Sequence, residues 1–453
     1  MGNCTGTIGE QDHKRNIVEK SQRHSHISYR EHNQQIQQRR STTREKFDNT
    51  EWLNVTNLKP NEMDYVNHCP PQSSDQNLSN KVHGSMMGMA IGDALGASVE
   101  FRPREYLEQN PITNLQGGGT WGLKAGQWTD DTSMALCLAA SLICQHGFSA
   151  YDQLVRYKWW WRKGYMSSTG HCFDIGKSTK QALDVFVRRQ HEYNQDFTTL
   201  DLQEPEGFNT QCSQPDRQSN GCLMRLAPIA LFFHRDAKDA VYYAGESART
   251  THGHQIAIDS CRLYAALICA ALNGEKKNEI LHRNFYQNHI QWFGSKPLDQ
   301  EVSNIMKNTT YQRKGGYNDG IRGSALCIQS LQAALWAFWS DKNSYESGVL
   351  ECVNLGDDTD TTAAIYGQLA GAYYGYKQLP PQWLEQIYAR EFIKTISDWY
   401  ESSKLPTVVS VHITNYHTKI GSRCATAQHD AVLIKLRSIY AMLVAVFDVG
   451  FDR

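Results

Sequence analysis

Residues 81–101 read KVHGSMMGMAIGDALGASVEF, with glycine at every fourth position: Gly84, Gly88, Gly92 and Gly96. That period lines them along one face of a helix. Glycine inside a helix costs about 1 kcal/mol relative to alanine. A whole glycine face makes sense where a second helix approaches backbone to backbone. The same spacing serves membrane-helix dimers, but Asp93 and the short apolar length argue against a membrane here.

Outward from this stretch the pattern stays helical. Apolar residues recur at helical spacing over 133–145, 251–273, 325–338 and 361–376. Strand signals are sparse, so the expected class is all-α. The composition divides the chain into three parts. Residues 1–80 are polar and read as a disordered tail. Residues 81–402 read as one large helical domain. Residues 403–453 combine a β-branched piece with a final apolar run and suggest no role. Residues 188–219 read as an irregular surface loop lying over the site.

The bulk properties narrow the function classes. The chain has 46 basic and 47 acidic residues among 453, a balance that offers no field for nucleic acid. Its 12 cysteines contain no C-x-x-C pair, as expected of a reduced intracellular protein without a disulfide framework. The first 40 residues lack the apolar core of a signal peptide, and the run 438–447 is too short to span a bilayer. The start MGNCTG partly fits a lipid anchor at Gly2 and Cys4, but position six is glycine where the motif wants Ser or Thr. A soluble cytoplasmic monomer is the expectation.

Two acidic clusters carry the chemistry. Thr129, Asp130 and Asp131 precede one apolar helix; Asp357, Asp358, Asp360 and Thr361 precede another. Capping explains one such side chain at a helix start. Three carboxylates within four residues are harder to explain, because they repel unless protons or a cation neutralise them. Carboxylates with hydroxyls are hard oxygen ligands, suited to magnesium, manganese or calcium rather than zinc. Weaker signals accompany them. Glu100 follows Gly96 by four. Asp174, Gly176 and Ser178 form a glycine turn entering a helix, whose free N–H groups suit a phosphate. Asn220–Gly221 is a turn with Arg225 close behind, and His252 precedes a helix. Each of these alone has an ordinary cap or surface reading.

Taken in order, GSMMGMAIGDALGASVEF, GQWTDDTSMAL, GYMSSTGHCFDIGKST, NGCLMRLAPIAL, TTHGHQIAIDSCRLYAAL and VNLGDDTDTTAAIYGQLAGAYYG resemble the ADP-ribosylglycohydrolase family over roughly residues 81–400. The resemblance implies a single bundle of orthogonally packed helices with two divalent cations, Mg2+ or Mn2+, in a cleft. It implies Thr129, Asp130, Asp131, Asp358, Asp360 and Thr361 as metal ligands. Glu100 and Asp174 would be the acids serving water and substrate, with Asp93 in support. Gly176, Ser178, Asn220, Gly221, Arg225 and His252 would line the substrate. The implied reaction is hydrolysis of an ADP-ribosyl bond on a modified protein, arginine favoured, or on a small ADP-ribosyl compound. Two alternatives stay open: a non-catalytic ADP-ribose binder or crystallin-like structural relative, and a hydrolase of another N-glycoside.

Overall fold

The glycine face of 81–101 meets a second glycine-bearing helix. The computed structural model describes Leu53, residues 75–193 and residues 204–402. Its principal helices are α1 (Gln76–Gly96), α2 (Asp130–Gln145), α3 (Ala150–Lys163), α4 (Lys177–Glu192), α5 (Ala227–Phe233), α6 (Ala237–Arg249), α7 (Gln255–Leu272), α8 (Cys327–Ser340), α9 (Tyr345–Val353), α10 (Thr359–Tyr374) and α11 (Arg390–Ser402). Among the described residues there is no strand, only two isolated bridges, Gly118 with Leu123 and Ser219 with Leu326. The all-α expectation holds.

α1 and α10 run antiparallel at backbone contact. A Cβ on Gly84, Gly88 or Gly92 would lie 2.3, 2.6 or 2.3 Å from the carbonyl oxygens of Gly371, Gly367 and Ala363. The converse holds as well: a Cβ on Gly367 or Gly371 would lie 2.2 or 2.0 Å from the oxygens of Gly88 and Gly84. Ser85 Oγ donates to Gln368 O at 2.8 Å across the seam, and Tyr345 Oη donates to Gly88 O at 2.6 Å from the side. The other helices pack around this pair: α10 against α7, α8 and α9, and α1 against α11.

Two boundaries differ from the sequence expectation. α1 starts at Gln76, inside the stretch assigned to the polar tail, because the Asp75 carboxylate accepts from the N–H groups of Asn77 and Leu78. Leu53 is buried as well. The rest of 1–74, with its MGNCTG start, lies outside the described residues, as do 403–453. The stretch 188–219 is not irregular from its beginning, since α4 continues to Glu192, burying Leu183, Phe186 and Gln190. Phe208 returns to that surface and packs on Phe186 and Tyr151, with ring centroids 5.5 and 5.0 Å away. α7 has the length and hydropathy of a membrane span, but its residues are buried inside the protein, as in any core helix.

Candidate active site

The last glycine of the seam delivers the second acidic cluster to the first. A Cβ on Gly96 would lie 2.3 Å from Asp360 N and Cα, so the start of α10 lies directly on the end of α1. Thr359 Oγ1 locks this join by donating to Gly96 O at 2.9 Å. One turn back on α1, Asp93 holds the start of α2. Its Oδ1 accepts from Thr129 N and Oγ1, both at 2.9 Å, and its Oδ2 from Thr132 N and Oγ1 at 3.0 and 2.6 Å. Three helix ends therefore converge, and each brings carboxylates.

Thr129 and Asp358 are the N-cap residues of α2 and α10, yet neither side chain caps its helix. Thr129 Oγ1 lies 2.9 Å from Asp93 Oδ1 and 3.1 Å from both Asp131 Oδ2 and Asp360 Oδ2. Thr361 Oγ1 lies 3.4 Å from Asp131 Oδ2. One hydroxyl has one proton, so it cannot satisfy three carboxylate oxygens at once. Asp131 Oδ1 is buried with no hydrogen-bond partner at all. A helix N-terminus favours an anion by only about 0.3–1 kcal/mol, far too little to hold several buried carboxylates ionised together.

The charges bear this out. Burial first, and then mutual repulsion, hold Asp130, Asp131 and Asp360 well above the usual carboxylate range. Burial likewise raises Asp93 and Asp358, against the hydrogen bonds they accept. Glu100 is pushed up to about 7 by burial, with Asp358 and Asp93 adding to it, although Trp121 Nε1 donates to its Oε2 at 2.6 Å. Burial, then Asp93 and Glu100, raise Asp174. None of these acids forms an ion pair with Lys, Arg or His among the described residues.

Oxygen atoms of Asp93, Asp131 and Asp360 lie within 4.8 Å of one another, a spacing that suits a hard cation. Asp93 has both oxygens taken by Thr129 and Thr132, so it reads as the brace of the cluster. Asp131, Asp360, Thr129 and Thr361 retain the donor atoms that a cation would use. The donor set and the orphaned Asp131 oxygen fit a divalent ion.

A second network gathers the residues expected to line the substrate. Asn220 opens a 3-10 turn (Asn220–Cys222) and donates from Nδ2 to Asp358 Oδ2 at 2.7 Å and Ser330 Oγ at 2.9 Å. Next to it, Ser219 Oγ donates to Ser178 Oγ at 3.0 Å and lies 3.0 Å from His252 Nε2. Thr251 Oγ1 is 2.8 Å from His252 Nδ1 and accepts from Arg225 Nη2 at 2.6 Å. Burial lowers His252 to about 4, so its ring is neutral near pH 7. Gly221 faces that ring, 3.0 Å from Cε1 for an added Cβ. Arg225 is wholly buried and donates to Gly221 O at 3.0 Å, so it braces the turn from behind instead of reaching an open surface. Gly176 is the exposed N-cap of α4, with open space around it.

Trp121 escaped the sequence reading, because a single tryptophan in GGGTWG has no spacing that links it to Glu100. Thr132 and Ser330 were missed for the same reason: their roles depend on Asp93 and Asn220, far away in the chain.

Fold and site together define a domain that is helical over its described residues, with a buried carboxylate cluster at the joined ends of three helices. Residues 74–408 match the family described as ADP-ribosylglycohydrolase, and the chain belongs to that family. It is 35% identical over 321 residues to the "ADP-ribosylarginine hydrolase Tri1" of Pseudomonas putida (strain GB-1), covering 70% of this chain and 76% of the relative. The protein of that name from Serratia proteamaculans (strain 568) is 32% identical, over 76% of this chain and 84% of its own. The "ADP-ribosyl-[dinitrogen reductase] glycohydrolase" of Rhodospirillum rubrum is 26% identical, over 67% and 89%. A solved "ADP-ribosylglycohydrolase-related protein complex" superposes with a TM-score of 0.58 at 32% identity, covering 73% of this chain and all of the other.

Proposed function

We propose that this chain hydrolyses the bond joining ADP-ribose to an arginine side chain, with two divalent cations, magnesium or manganese, at the acidic cluster. The observation that carries the reading is the hydroxyl of Thr129 set among three carboxylates that form no ion pair among the described residues. The two relatives named as arginine-directed hydrolases support the choice of linkage.

Bound cations would supply Lewis acidity and fix the ribose hydroxyls. Thr129, Asp130 and Asp131 would hold them from one side, and Asp358, Asp360 and Thr361 from the other. Hydrolysis at an anomeric carbon passes through an oxocarbenium-like state and needs a group that takes a proton from water. Glu100, poised at about 7, changes protonation near neutral pH and can hold that proton at Oε1, leaving Oε2 on the Trp121 indole. Asp174 interacts electrostatically with Asp130 and Glu100 and would orient the distal part of the substrate. Ser178 would bind ADP-ribose through hydrogen bonds, and the neutral His252, held by Thr251 at Nδ1, would orient it through Ser219.

The test is release of ADP-ribose from arginine-linked and serine-linked peptides, with and without a chelator. Cation-dependent release from the arginine peptide is expected. Undiminished release after complete chelation would remove the metal claim; release only from the serine peptide would remove the linkage claim.

A further inference from the structure

Leu53 lies 21 residues before the family-matched region begins, yet it is fully buried in the fold. Its carbonyl oxygen accepts two hydrogen bonds, from Arg156 Nη1 at 2.7 Å and Tyr165 Oη at 2.6 Å. Both donors are fully buried. Arg156 is anchored on α3 by its ion pair with Asp152 at 2.7 Å, and the same Nη1 lies 2.9 Å from Tyr165 Oη. Leu53 thus joins Arg156 and Tyr165 in a three-way hydrogen-bonded contact deep inside the domain.

Tyr165 stands at the root of the loop that carries Asp174. This loop leaves α3 through Gly164 at φ 70° and Met166 at φ 64°. It is stitched to the entrance of the acidic cluster: Trp128 Nε1 donates to Met166 O at 3.3 Å, Ser168 Oγ donates to Trp128 O at 2.7 Å, and Gln127 Nε2 donates to Ser168 O at 2.9 Å. Trp128 is followed directly by Thr129. The contacts run continuously from Leu53 through Tyr165 and the loop to the first metal-side residue.

We propose that Leu53, from outside the family-matched region, is a positioning residue for the active site. Docked on Arg156 and Tyr165, it fixes the 164–176 loop and so sets where Asp174 and the 127–131 segment stand. The catalytic part of the argument rests on the function proposed above; the docking part does not.

The experiment uses the full chain with Leu53→Asp, which places a carboxylate in the buried seat, Leu53→Met, which refills it, and Tyr165→Phe, which removes one donor while keeping the ring. Hydrogen–deuterium exchange is followed over 127–131 and 164–176, with peptides of α8 and α9 as internal reference. Affinity for free ADP-ribose and the kcat and KM of hydrolysis are measured alongside. Leu53→Asp should speed exchange in the two segments roughly tenfold and leave the reference unchanged. It should raise KM and the ADP-ribose Kd roughly fivefold, with kcat within about twofold. Leu53→Met should restore all of these, and Tyr165→Phe should fall between. Unchanged exchange in 164–176 overturns the proposal. So does a uniform rise that includes α8 and α9, which would mark plain destabilisation, and so does local loosening with unaltered Kd and KM. If the unsubstituted chain binds ADP-ribose but releases none from any peptide, the proposed reaction fails, and exchange and Kd still decide this inference.

Discussion

The protein buries acids in two contrasting ways along one helix. Near the C-terminal end of α10, Asp341 is almost fully enclosed, and Lys277 Nζ sits 2.6 Å from its Oδ1. The hydroxyls of Tyr374 and Tyr366 donate to its other oxygen at 2.9 and 3.3 Å. Asp152 with Arg156 and Asp259 with Arg262 follow the same rule, each at 2.7 Å. At the N-terminal end of α10, Asp131 and Asp360 are just as enclosed, and neither forms an ion pair among the described residues. Those three acids find their counter-charge within the chain, and the acids of the cluster do not. This internal contrast is a stronger argument for a cation than the acid count alone, because a buried charge without a partner is strongly unfavourable.

The contrast can be broken at either end. The largest effect should come from Asp360→Asn: hydrolysis should fall about a thousandfold, while the melting temperature of the chelated protein rises, since one repelling charge is gone. A chelated variant that melts lower would contradict the idea of unbalanced charge. Lys277→Met is the opposite case. It strands Asp341, so chemical denaturation should show a loss of about 3 kcal/mol, with KM for the ADP-ribosyl substrate unchanged.

A pH series compares the two ends within one molecule. Glu100 holds its proton up to about 7 in the fold but only to about 4.5 in the open chain. Between those values the folded state binds more protons, so the stability of the chelated protein should fall as pH rises from about 4.5 through 7, by about 3 kcal/mol from Glu100 alone, with the other raised acids adding to the fall. Added divalent cation should reverse that slope, because it binds the deprotonated acids. Thermal melts with and without cation check both signs. The smallest effect is expected from Trp121→Phe, which removes one hydrogen bond from Glu100. It should lower kcat/KM roughly tenfold and leave the metal-free melting temperature within about 2 °C.

Much of this was legible in the sequence where the signal is local or periodic. The four glycines of 81–101 announced a close helix contact, and the density of Asp357, Asp358 and Asp360 announced a neutralisation problem. The resemblance then supplied the expectation that the two acidic clusters meet; spacing left that open, because 228 positions separate Asp130 from Asp358. What stayed illegible depends on three-dimensional neighbours. Arg225 follows the Asn220–Gly221 turn, and the resemblance implies that it lines the substrate, but the chain folds so that it is buried, donating to Thr251 and Gly221. Leu53 sits in a polar stretch whose composition resembles a tail, and among the described residues Arg156 and Tyr165, each more than 100 positions away, hold its carbonyl.

The α1–α10 seam has a genetic consequence. Most core contacts join two side chains, so an enlargement on one side can be offset by a reduction on the other. At Gly88 against Gly367, and at Gly84 against Gly371, each partner presents only its main chain. There is nothing left on either helix to trim. A lesion at one of these glycines should therefore have no second-site suppressor across the seam, and a search for revertants should return only the original glycine codon or compensation elsewhere in the protein.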